Sequence, residues 1–545
     1  MITVADFIAD FLVKKSVKYV FGFQGSAMLK ILDAMMATGK IEYIQNFNEQ
    51  ASAFCADAYA RVKGDIGVAI ATSGPGATNL ITGIADAFCD SIPTLFITGQ
   101  ERLSLIKTRG EARQNGFQDI DIVSMVKPIT KYAVLLDNPD DVQYELEKAF
   151  YIATTGRKGP VLIDVPIDIQ FETVDETKLK HFSAVVNSKN DLSSFPAIVS
   201  AINCAKKPVI LVGGGVRQAG AENLLNEFYN KTKIPVVATL NGLDACADMV
   251  GFAGLYGNTA ANMALLNADL LLVLGSRLAL QHIGKKKENY NKNAKIIHVD
   301  IDETEFNRTF LKEDIIVSCD LKCFLQKLVS VSFDANYSSW LQQITSWQNI
   351  YTKDNLYLKR LIKNIVEKAD EEAVVTVDVG ENQMWVAQSF STNGKQRLLS
   401  SSGFGAMGFS LPAAVGASFA TKQVISFMGD GGFQMNLQEL NTLSLLQRNV
   451  KCFIFNNGCL GLMRSIQKKF YNSHFYGNTN KEFSCPDIAM LAKTYRINYF
   501  SIADDSDFHK LNEIFSDNRP CLVDIKIDIS TAVLNRYDDK ALQNG

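Results

Sequence analysis

The 545-residue sequence lacks an excess of basic residues. Lysine and arginine number 55 against 58 aspartates and glutamates, so the formal net charge is −3 at pH 7. A nucleic-acid-binding protein needs basic surface to neutralise phosphates, and this balance provides none. The composition, 47% hydrophobic and 21% charged, is typical of a soluble globular protein. We therefore expect small-molecule substrates and no nucleic-acid partner.

Long apolar runs and paired cysteines are also missing. No stretch reaches the roughly 20 apolar residues of a membrane-spanning helix. Residues 1–23 read as an amphipathic helix leading into a strand, without the unbroken apolar core of a secretory signal. The ten cysteines form no CxxC pair, which disfavours a disulfide scaffold or a zinc site. These absences predict a protein of the reducing cytoplasm without a membrane partner.

Residues 423–457 carry the strongest motif of the chain. An apolar run at 424–428 has the length of a buried strand and ends at the glycine-rich turn 429–432. A second apolar run at 450–455 ends at two asparagines. Between the two runs, four leucines follow at helical spacing: Leu437, Leu440, Leu443 and Leu446. The pattern predicts a strand, a helix and a second, parallel strand.

Two polar residues, Asp430 and Asn457, are expected at the carboxyl edge of this sheet. Neighbouring strands lie about 5 Å apart, so the two side chains would be close. A carboxylate and an amide oxygen suit Mg²⁺, which completes its shell with water and phosphate. Gly431 and Gly432, at a helix N-terminus, would offer N–H groups to a diphosphate. The alternative is an ordinary βαβ unit whose glycines serve only the turn.

The motif GDG, 24 intervening residues and NN resembles the signature of thiamine-diphosphate-dependent enzymes. The resemblance covers nearly the whole chain and is nearest to the acetolactate synthase-like branch. It implies the cofactors thiamine diphosphate and Mg²⁺, with Asp430, Asn457 and the Cys459 carbonyl as metal ligands. It also implies cofactor contacts in the same region, at Gly429, Gly431, Gly432 and Leu462.

The alternation of apolar runs and helical patterns predicts an α/β fold with three doubly wound or Rossmann-like parallel-sheet domains. In the first domain the runs lie at 19–23, 41–44, 67–71, 94–98 and 161–165. The expected domains are a pyrimidine-binding domain at 1–175, a central domain at 190–340 and a diphosphate-binding domain at 355–545. The names of the two outer domains follow from the resemblance.

Glu49 follows the second predicted strand and opens a helix. A glutamate in a first helical turn is usually a dipole or capping partner. The resemblance instead implies that Glu49 hydrogen-bonds the aminopyrimidine ring and promotes loss of a proton from the thiazolium carbon. Gly25, in a turn after the first strand, and Gln118 are assigned to the same catalytic edge. Two interpretations of Gln118 remain: its side chain donates to a substrate oxygen, or it is an exposed amide of a loop.

Three further cofactor contacts are implied in the last domain. Asn382 follows the strand at 374–377 and would meet the diphosphate. Residues 403–408 resemble the family's GLGTMG segment, in which the methionine wedges between the two rings of the bent cofactor. We therefore assign Gly405 and Met407 to cofactor shape, although a buried methionine is most often core filler.

The central domain carries a weaker nucleotide signal. Its glycine run is not a GxGxxG fingerprint. The resemblance implies an FAD site in acetolactate synthases, with the candidate contacts Arg157, Gly213, Gly214, Gly215 and Arg277. The family's FDDR after the arginine is replaced by residues 278–281, LALQ, which lack its charges. Three alternatives therefore remain for the central domain: it binds FAD, it binds ADP alone, or it binds no dinucleotide.

The predicted reaction is decarboxylation of a 2-oxo acid, pyruvate, and transfer of the acetyl unit to a second carbonyl. No pair of histidines like that of pyruvate decarboxylases is present in the first domain, which favours ligation over aldehyde release. Departures from the acetolactate synthase pattern at Ile167 and at residues 464–467 resemble enzymes of branched-sugar biosynthesis. The acceptor is a second 2-oxo acid or a nucleotide-linked keto-sugar; carbon–carbon hydrolysis and a cofactor-free scaffold protein are more distant alternatives.

The two halves of the predicted thiamine site lie far apart in the sequence. Glu49 belongs to the first domain, whereas Asp430 and Asn457 belong to the last. In the resembled family these halves come from different subunits and face each other across a two-fold axis. A homodimer is therefore the expected minimum unit, and a homotetramer is common in the family.

Overall fold

The computed structural model describes residues 1–184, 190–283, 291, 293–308, 313–334, 336–350, 356–478 and 481–533. Its strands form three six-stranded parallel sheets and one antiparallel pair. Apolar side chains on both faces of each sheet are buried under helices, as a parallel sheet requires. The predicted architecture of three α/β domains with parallel sheets is confirmed.

The first sheet has the strand order β3-β2-β4-β5-β7-β6. The short strands β1 and β8 pair outside it. The strands are β1 Ile2–Thr3, β2 Tyr19–Phe23, β3 Glu42–Gln45, β4 Gly67–Ala71, β5 Thr94–Gln100, β6 Tyr132–Leu135, β7 Val161–Pro166 and β8 Thr173–Val174. The helices are α1 Val4–Lys14, α2 Leu29–Ala37, α3 Glu49–Lys63, α4 Pro75–Asn79, α5 Ile81–Asp90, α6 Leu103–Thr108, α7 Ile122–Val126, α8 Val142–Thr154 and α9 Ile167–Phe171.

The middle sheet has the order β11-β10-β9-β12-β13-β14. This is the strand order of dinucleotide-binding sheets, with its switch point between β9 and β12. The strands are β9 Pro208–Val212, β10 Val236–Ala238, β11 Met249–Phe252, β12 Leu270–Leu274, β13 Lys295–Asp300 and β14 Ile315–Ser318. The helices are α10 Phe195–Cys204, α11 Gly215–Gln218, α12 Glu222–Thr232, α13 Thr259–Asn267, α14 Leu280–Ile283, α15 Leu321–Val329 and α16 Ser338–Ile350.

The last sheet has the order β16-β15-β17-β18-β20-β19, which repeats the topology of the first sheet. Its strands are β15 Val374–Val377, β16 Arg397–Ser400, β17 Val424–Gly429, β18 Val450–Asn456, β19 Asn498–Ile502 and β20 Cys521–Lys526. The helices are α17 Leu356–Lys368, α18 Glu381–Ser389, α19 Ser410–Ala417, α20 Asp430–Met435, α21 Glu439–Leu446, α22 Gly461–Phe470, α23 Ile488–Tyr495 and α24 Lys510–Ser516.

Helices α3 and α19 join the first and last domains. Phe54 of α3 meets Phe409 edge-on, with ring centroids 5.3 Å apart. The Cys55 thiol donates to the Pro412 carbonyl at 3.0 Å. A Cβ at Gly416 would lie only 2.1 Å from the Cys55 carbonyl oxygen, so the two backbones can meet only because this residue is glycine. None of the described helices has the length and apolar content needed to cross a lipid bilayer.

Candidate active site

Equivalent edges of the first and last sheets carry the predicted site residues. Each of these sheets has a switch point, where consecutive connections leave in opposite directions along the sheet, between β2 and β4 in the first and between β15 and β17 in the last. Ligands of doubly wound sheets bind outside the carboxyl ends of the strands at such a switch point. Gly25 follows β2, and Asp430 follows β17, so both predicted catalytic and metal-binding elements begin there.

Asp430 lies at the carboxyl end of β17, beside the end of β18. Its Oδ2 accepts a hydrogen bond of 2.7 Å from the Gly458 amide, which directly follows Asn457. The side chain is 2% exposed, and burial raises its pKa to about 6, opposed by backbone hydrogen bonds from residues 431 and 457–459. The predicted meeting of the two strand ends is therefore present in the structure.

The segment after β18 presents oxygen donors of the type that Mg²⁺ prefers. Asn457 Oδ1 accepts a 3.2 Å hydrogen bond from the Cys459 amide, so the turn is compact. The described residues contain no group of three or more His, Cys, Asp or Glu side chains that could hold a metal. One carboxylate, one amide and a backbone carbonyl nevertheless fit a magnesium ion, which takes its remaining ligands from phosphate and water.

Asn382 lies across the switch point from Asp430. Its Nδ2 donates to the Asp378 carbonyl at 2.8 Å, which fixes the side chain. A Cβ at Gly429 would lie 3.4 Å from Asn382 Oδ1, so the amide faces the end of β17. This arrangement fits a contact between Asn382 and a diphosphate held at the same edge.

The turn that carries Gly405 and Met407 is held from below by Asp378. The Asp378 carboxylate accepts from the Gly408 amide at 3.0 Å and from the Ser410 amide at 2.9 Å. Burial raises its pKa to about 6. A Cβ at Gly432 would lie 2.2 Å from Asp378 Oδ1, which leaves room only for glycine there. Gly408 itself has φ of +82°, so the turn needs a glycine at this position as well.

Apolar side chains cover Gly431. A Cβ at that position would lie 2.5 Å from Leu460 Cδ2, 3.4 Å from Met407 Cε and 3.7 Å from Phe483 Cζ. Met407 is thus near the glycine turn, and its role in cofactor shape stays a prediction. Leu462, the second residue of α22, packs against the core that contains Trp385, and its contact with the cofactor stays a prediction. The leucine that meets the glycine turn is Leu460, which precedes the helix.

Glu49 begins α3, shortly after the edge strand β3, and lies against the turn that follows β4. Its side chain is 6% exposed, and its Oε2 accepts a 2.9 Å hydrogen bond from Asn79 Nδ2. A Cβ at Gly76 would lie 3.1 Å from Glu49 Oε1, so the turn at residues 72–79 packs directly against the carboxylate. The N-cap of the helix is Asn48, whose side chain accepts from the Gln50 amide. Glu49 is therefore not needed as the cap.

Gly25 and Gln118 converge on the same turn of the first domain. A Cβ at Gly25 would lie 2.5 Å from Thr72 Cβ. Gln118 has φ of +61° and lies over Gly74, and its Oε1 accepts from Ser73 Oγ at 3.5 Å. The structure thus brings Gly25, Glu49 and Gln118 together around residues 72–79.

No hydrogen bond in the described part of the chain joins Glu49 to the edge formed by Asp430 and Asn457. The two edges belong to different domains, and large apolar side chains near them are exposed. Phe117, next to Gln118, is 80% exposed, and Phe404 and Met435, near the cofactor-shaping turn, are 47% and 55% exposed. Large exposed apolar side chains of this kind are a feature of interaction surfaces.

The five candidate FAD residues line a single cavity of about 460 Å³ in the middle domain. A Cβ at Gly213 would lie 2.0 Å from the Gly275 carbonyl oxygen, so the two strand ends touch at the switch point. Arg157 is ion-paired with Asp302 at 2.8 Å. Burial and the neighbouring Arg277 lower the pKa of His282 to about 4, so this ring is neutral in the cavity wall. The cavity thus combines a glycine turn, an arginine and carboxylates, a set of groups that fits an adenine nucleotide.

Several residues of the site have no signal in the local sequence. Glu439 accepts hydrogen bonds from Asn46 Nδ2 at 2.9 Å and the Phe47 amide at 2.8 Å, and so fixes the segment before Glu49 to α21. Asn478 accepts from the Leu460 amide at 2.8 Å and holds the loop above Gly431. These contacts join residues that are not neighbours in the chain, so no local motif predicts them. The only general guide is that a buried polar side chain needs a hydrogen-bond partner.

Comparison with known proteins gives three family matches along the chain. The N-terminal TPP binding domain of thiamine pyrophosphate enzymes matches residues 2–125, the central domain 196–328 and the C-terminal TPP binding domain 378–525. The matches fall in each of the three domains and include residues 429–457, and they confirm the resemblance drawn from the GDG and NN motifs.

Curated relatives match over nearly the full chain. The acetolactate synthase large subunit of Lactococcus lactis subsp. lactis is 35% identical over 538 residues, covering 95% of this chain and 91% of the relative. That of Cyanidium caldarium is 36% identical over 550 residues, covering 95% and 92%. The acetolactate synthase isozyme 2 large subunit of Escherichia coli K12 is 35% identical over 546 residues, covering 96% and 95%. The chain therefore belongs to the thiamine pyrophosphate enzyme family, among its acetolactate synthase-like members.

Proposed function

We propose that this chain is a thiamine-diphosphate- and Mg²⁺-dependent carboligase that decarboxylates pyruvate and transfers the acetyl unit to a second 2-oxo acid. The observation that carries the proposal is the pair of equivalent sheet edges, one presenting Glu49 and the other Asp430 with Asn457. The names of the relatives, all acetolactate synthase large subunits, support the choice of substrates.

The metal and the diphosphate would be held at the last sheet. Side-chain oxygens of Asp430 and Asn457 and the Cys459 carbonyl would bind Mg²⁺. Asn382 and the backbone of Gly429, Gly431 and Gly432 would contact the diphosphate, because the glycines leave the N–H groups at the start of α20 accessible. The short helix adds positive dipole where the phosphate charge would lie.

The remaining residues would orient the rings and control protons. Bound thiamine diphosphate supplies a centre that accepts the electron pair released when carbon dioxide leaves a 2-oxo acid. Glu49 would hold a proton at the aminopyrimidine ring, while Gly405 and Met407 set the cofactor's shape. Leu460 and Phe483 beside Met407 exclude water from the space over Gly431. Gln118 would donate to a substrate oxygen, and Gly25 lets its loop approach the cofactor.

The active unit of this proposal is a homodimer, in which the Glu49 edge of one subunit faces the Asp430 edge of its partner. The exposed Phe117, Phe404 and Met435 near these edges support such an interface. Two dimers could associate further into a homotetramer. The ten free cysteines agree with a reducing compartment, and we propose the cytoplasm.

The acceptor is tested with labelled pyruvate as the only 2-oxo acid. We expect purified enzyme with thiamine diphosphate and Mg²⁺ to release carbon dioxide and to form acetolactate at two pyruvates per carbon dioxide released. The measurement is product analysis by mass spectrometry beside carbon dioxide release. Acetaldehyde as the main product would contradict carboligation.

The same assay with added nucleotide-linked keto-sugars separates the two acceptors. An enzyme with a 2-oxo acid acceptor keeps its rate of acetolactate formation when the sugar is present. If labelled acetyl appears on the sugar while pyruvate alone gives almost no acetolactate, the keto-sugar acceptor replaces the proposal. Cyclic diketones should remain intact, because the proposed enzyme is not a carbon–carbon hydrolase.

We further propose that the middle-domain cavity binds an adenine nucleotide, FAD in its full form, without a redox step. Arg277 and the glycine turn at residues 213–215 would bind the phosphates. Arg157, which is ion-paired with Asp302, would stabilise another part of the cavity wall. Purified protein is expected to carry flavin absorbance, and stripped protein to rebind FAD in calorimetric titration. Binding of ADP but not of flavin would restrict the site to the adenine nucleotide half, and binding of neither would refute the proposal.

A further inference from the structure

All three domains meet at a buried polar cluster below the cofactor-shaping turn. We define this junction by Asp57 and Arg61 of α3, Asp86 and Asp90 of α5, and Asn241 of the middle domain. Arg61 pairs with Asp57 at 2.6 Å and with Asp90 at 3.2 Å. Burial and the neighbouring carboxylates of Asp57 and Asp90 raise the pKa of Asp86 well above its ordinary value. The cluster is therefore a fixed electrostatic unit rather than a solvated surface.

Asp90 is the member of the junction that contacts all three domains. Its Oδ1 accepts from the Gly403 amide and from Asn241 Nδ2, both at 2.9 Å. Its Oδ2 accepts from the Ser402 amide at 3.0 Å and from Arg61 at 3.2 Å. Four donors thus converge on one carboxylate that is 8% exposed. Two of them are consecutive amides of the segment that leads to Gly405.

A second contact holds the same segment from the other side. Ser401 Oγ donates to Asp86 Oδ1 at 2.5 Å and accepts from the Ala406 amide at 2.8 Å. A Cβ at Gly403 would lie 2.8 Å from Asp90 Oδ1, so the backbone lies tightly on the carboxylate. The path of residues 402–406, which delivers Gly405 and Met407, is therefore set by α5 of the first domain. Asp90 also lines the middle-domain cavity.

From this geometry we infer that Asp90 is a positioning residue for the cofactor. It fixes the amides of Ser402 and Gly403, and through them the place of Gly405 and Met407, without touching the cofactor itself. The inference rests on the proposed function, since it assigns the turn at Gly405 and Met407 to thiamine diphosphate.

The substitution Asp90→Asn tests this inference because the two residues have the same size. Each carboxylate oxygen now faces two donors, so the new NH₂ group must oppose two donors whichever way the amide is turned. We expect the dissociation constant for thiamine diphosphate in saturating Mg²⁺ to rise by about tenfold or more. Calorimetric titration of cofactor-free enzyme measures it directly, beside the thermal unfolding midpoint of the same sample.

Asp244→Asn is the matched control. Asp244 is also a buried carboxylate between domains, and it accepts from Arg397 Nε at 2.7 Å, from the Leu398 amide at 3.1 Å and from Arg217 Nε at 3.2 Å. These contacts fix β16 and not the turn that follows it. We expect this variant to lower the unfolding midpoint to a similar degree but to keep cofactor affinity within about twofold of wild type.

The outcomes separate positioning from stability. Cofactor affinity weakened in Asp90→Asn but not in Asp244→Asn supports the inference. Equal affinities in wild type and Asp90→Asn, or equal weakening in both variants, would overturn it. If Asp90→Asn does not fold, Asp90→Ser replaces it: the smaller side chain loses most of the contacts with the Ser402 and Gly403 amides without adding an opposed NH₂ group. We expect it to weaken cofactor binding in the same direction, and unchanged affinity there would also overturn the inference. Failure of wild-type enzyme to bind thiamine diphosphate would instead refute the proposed function.

Discussion

Replacing Glu49 with glutamine is expected to reduce turnover by about 10²–10⁴-fold, the usual contribution of a general acid–base residue. The glutamine keeps the shape and can still accept the hydrogen bond from Asn79 that Glu49 Oε2 accepts at 2.9 Å. It cannot take up and release a proton in the working pH range. Steady-state rates with pyruvate, measured at saturating thiamine diphosphate and Mg²⁺, provide the test.

Folding and cofactor affinity serve as the internal reference for this variant. Asn48, not Glu49, caps α3, so the thermal unfolding midpoint of Glu49→Gln should stay near that of wild type. Glu42→Gln provides a matched control, because Glu42 is an exposed carboxylate on β3 seven positions earlier. Its turnover should be unchanged. Wild-type rates in Glu49→Gln would remove Glu49 from the proton-transfer role.

Replacing Asp430 with alanine is expected to abolish Mg²⁺-dependent binding of thiamine diphosphate. Loss of a partner in the outer shell of a metal typically costs about 10–100-fold in affinity, so loss of the only side-chain carboxylate of the proposed site should cost about 100-fold or more. The measurement is calorimetric titration of the cofactor into enzyme at several Mg²⁺ concentrations. Wild-type affinity should rise with Mg²⁺, whereas that of the variant should stay low throughout.

Asp487→Ala is the matched control in the same domain. Asp487 caps α23 and accepts from the Met490 amide at 3.0 Å, outside the proposed metal site. Its loss should lower stability slightly, by about 1 kcal/mol for an N-cap, and leave the cofactor titration unchanged. An Asp430→Ala enzyme that still binds the cofactor with wild-type Mg²⁺ dependence would show that the metal is held elsewhere.

Much of the fold could be predicted from the sequence because parallel strands are buried on both faces and therefore read as apolar runs. The runs at Tyr19–Phe23, Gly67–Ala71 and Val374–Val377 are strands with the predicted bounds. The strands predicted at 424–428 and 450–455 each extend one residue further in the structure, to Gly429 and Asn456. A glycine or a polar residue directly after an apolar run determines such an end locally.

Leu460 and Leu462 show where local pattern stops being informative. Helix α22 begins at Gly461, so Leu460 lies outside the helix and is turned toward Gly431, whereas Leu462 is turned toward the core by the helix itself. Which of the two leucines faces the glycine turn depends on the residue at which α22 begins. Helix ends are the least certain part of any prediction from sequence pattern. The loop above the glycine turn therefore needed the structure.

The sequence by itself determined the fold class, the motif with Asp430 and Asn457, and the candidacy of Glu49, because each depends on residues close together in the chain. Only the tertiary structure decided which polar residues support them. Asp378 under the turn of Gly408, Glu439 against Asn46, and Asp90 under Ser402 and Gly403 pair groups 30 to 393 positions apart. Burial makes an unpaired carboxylate costly, so each finds donors wherever the packed domains supply them.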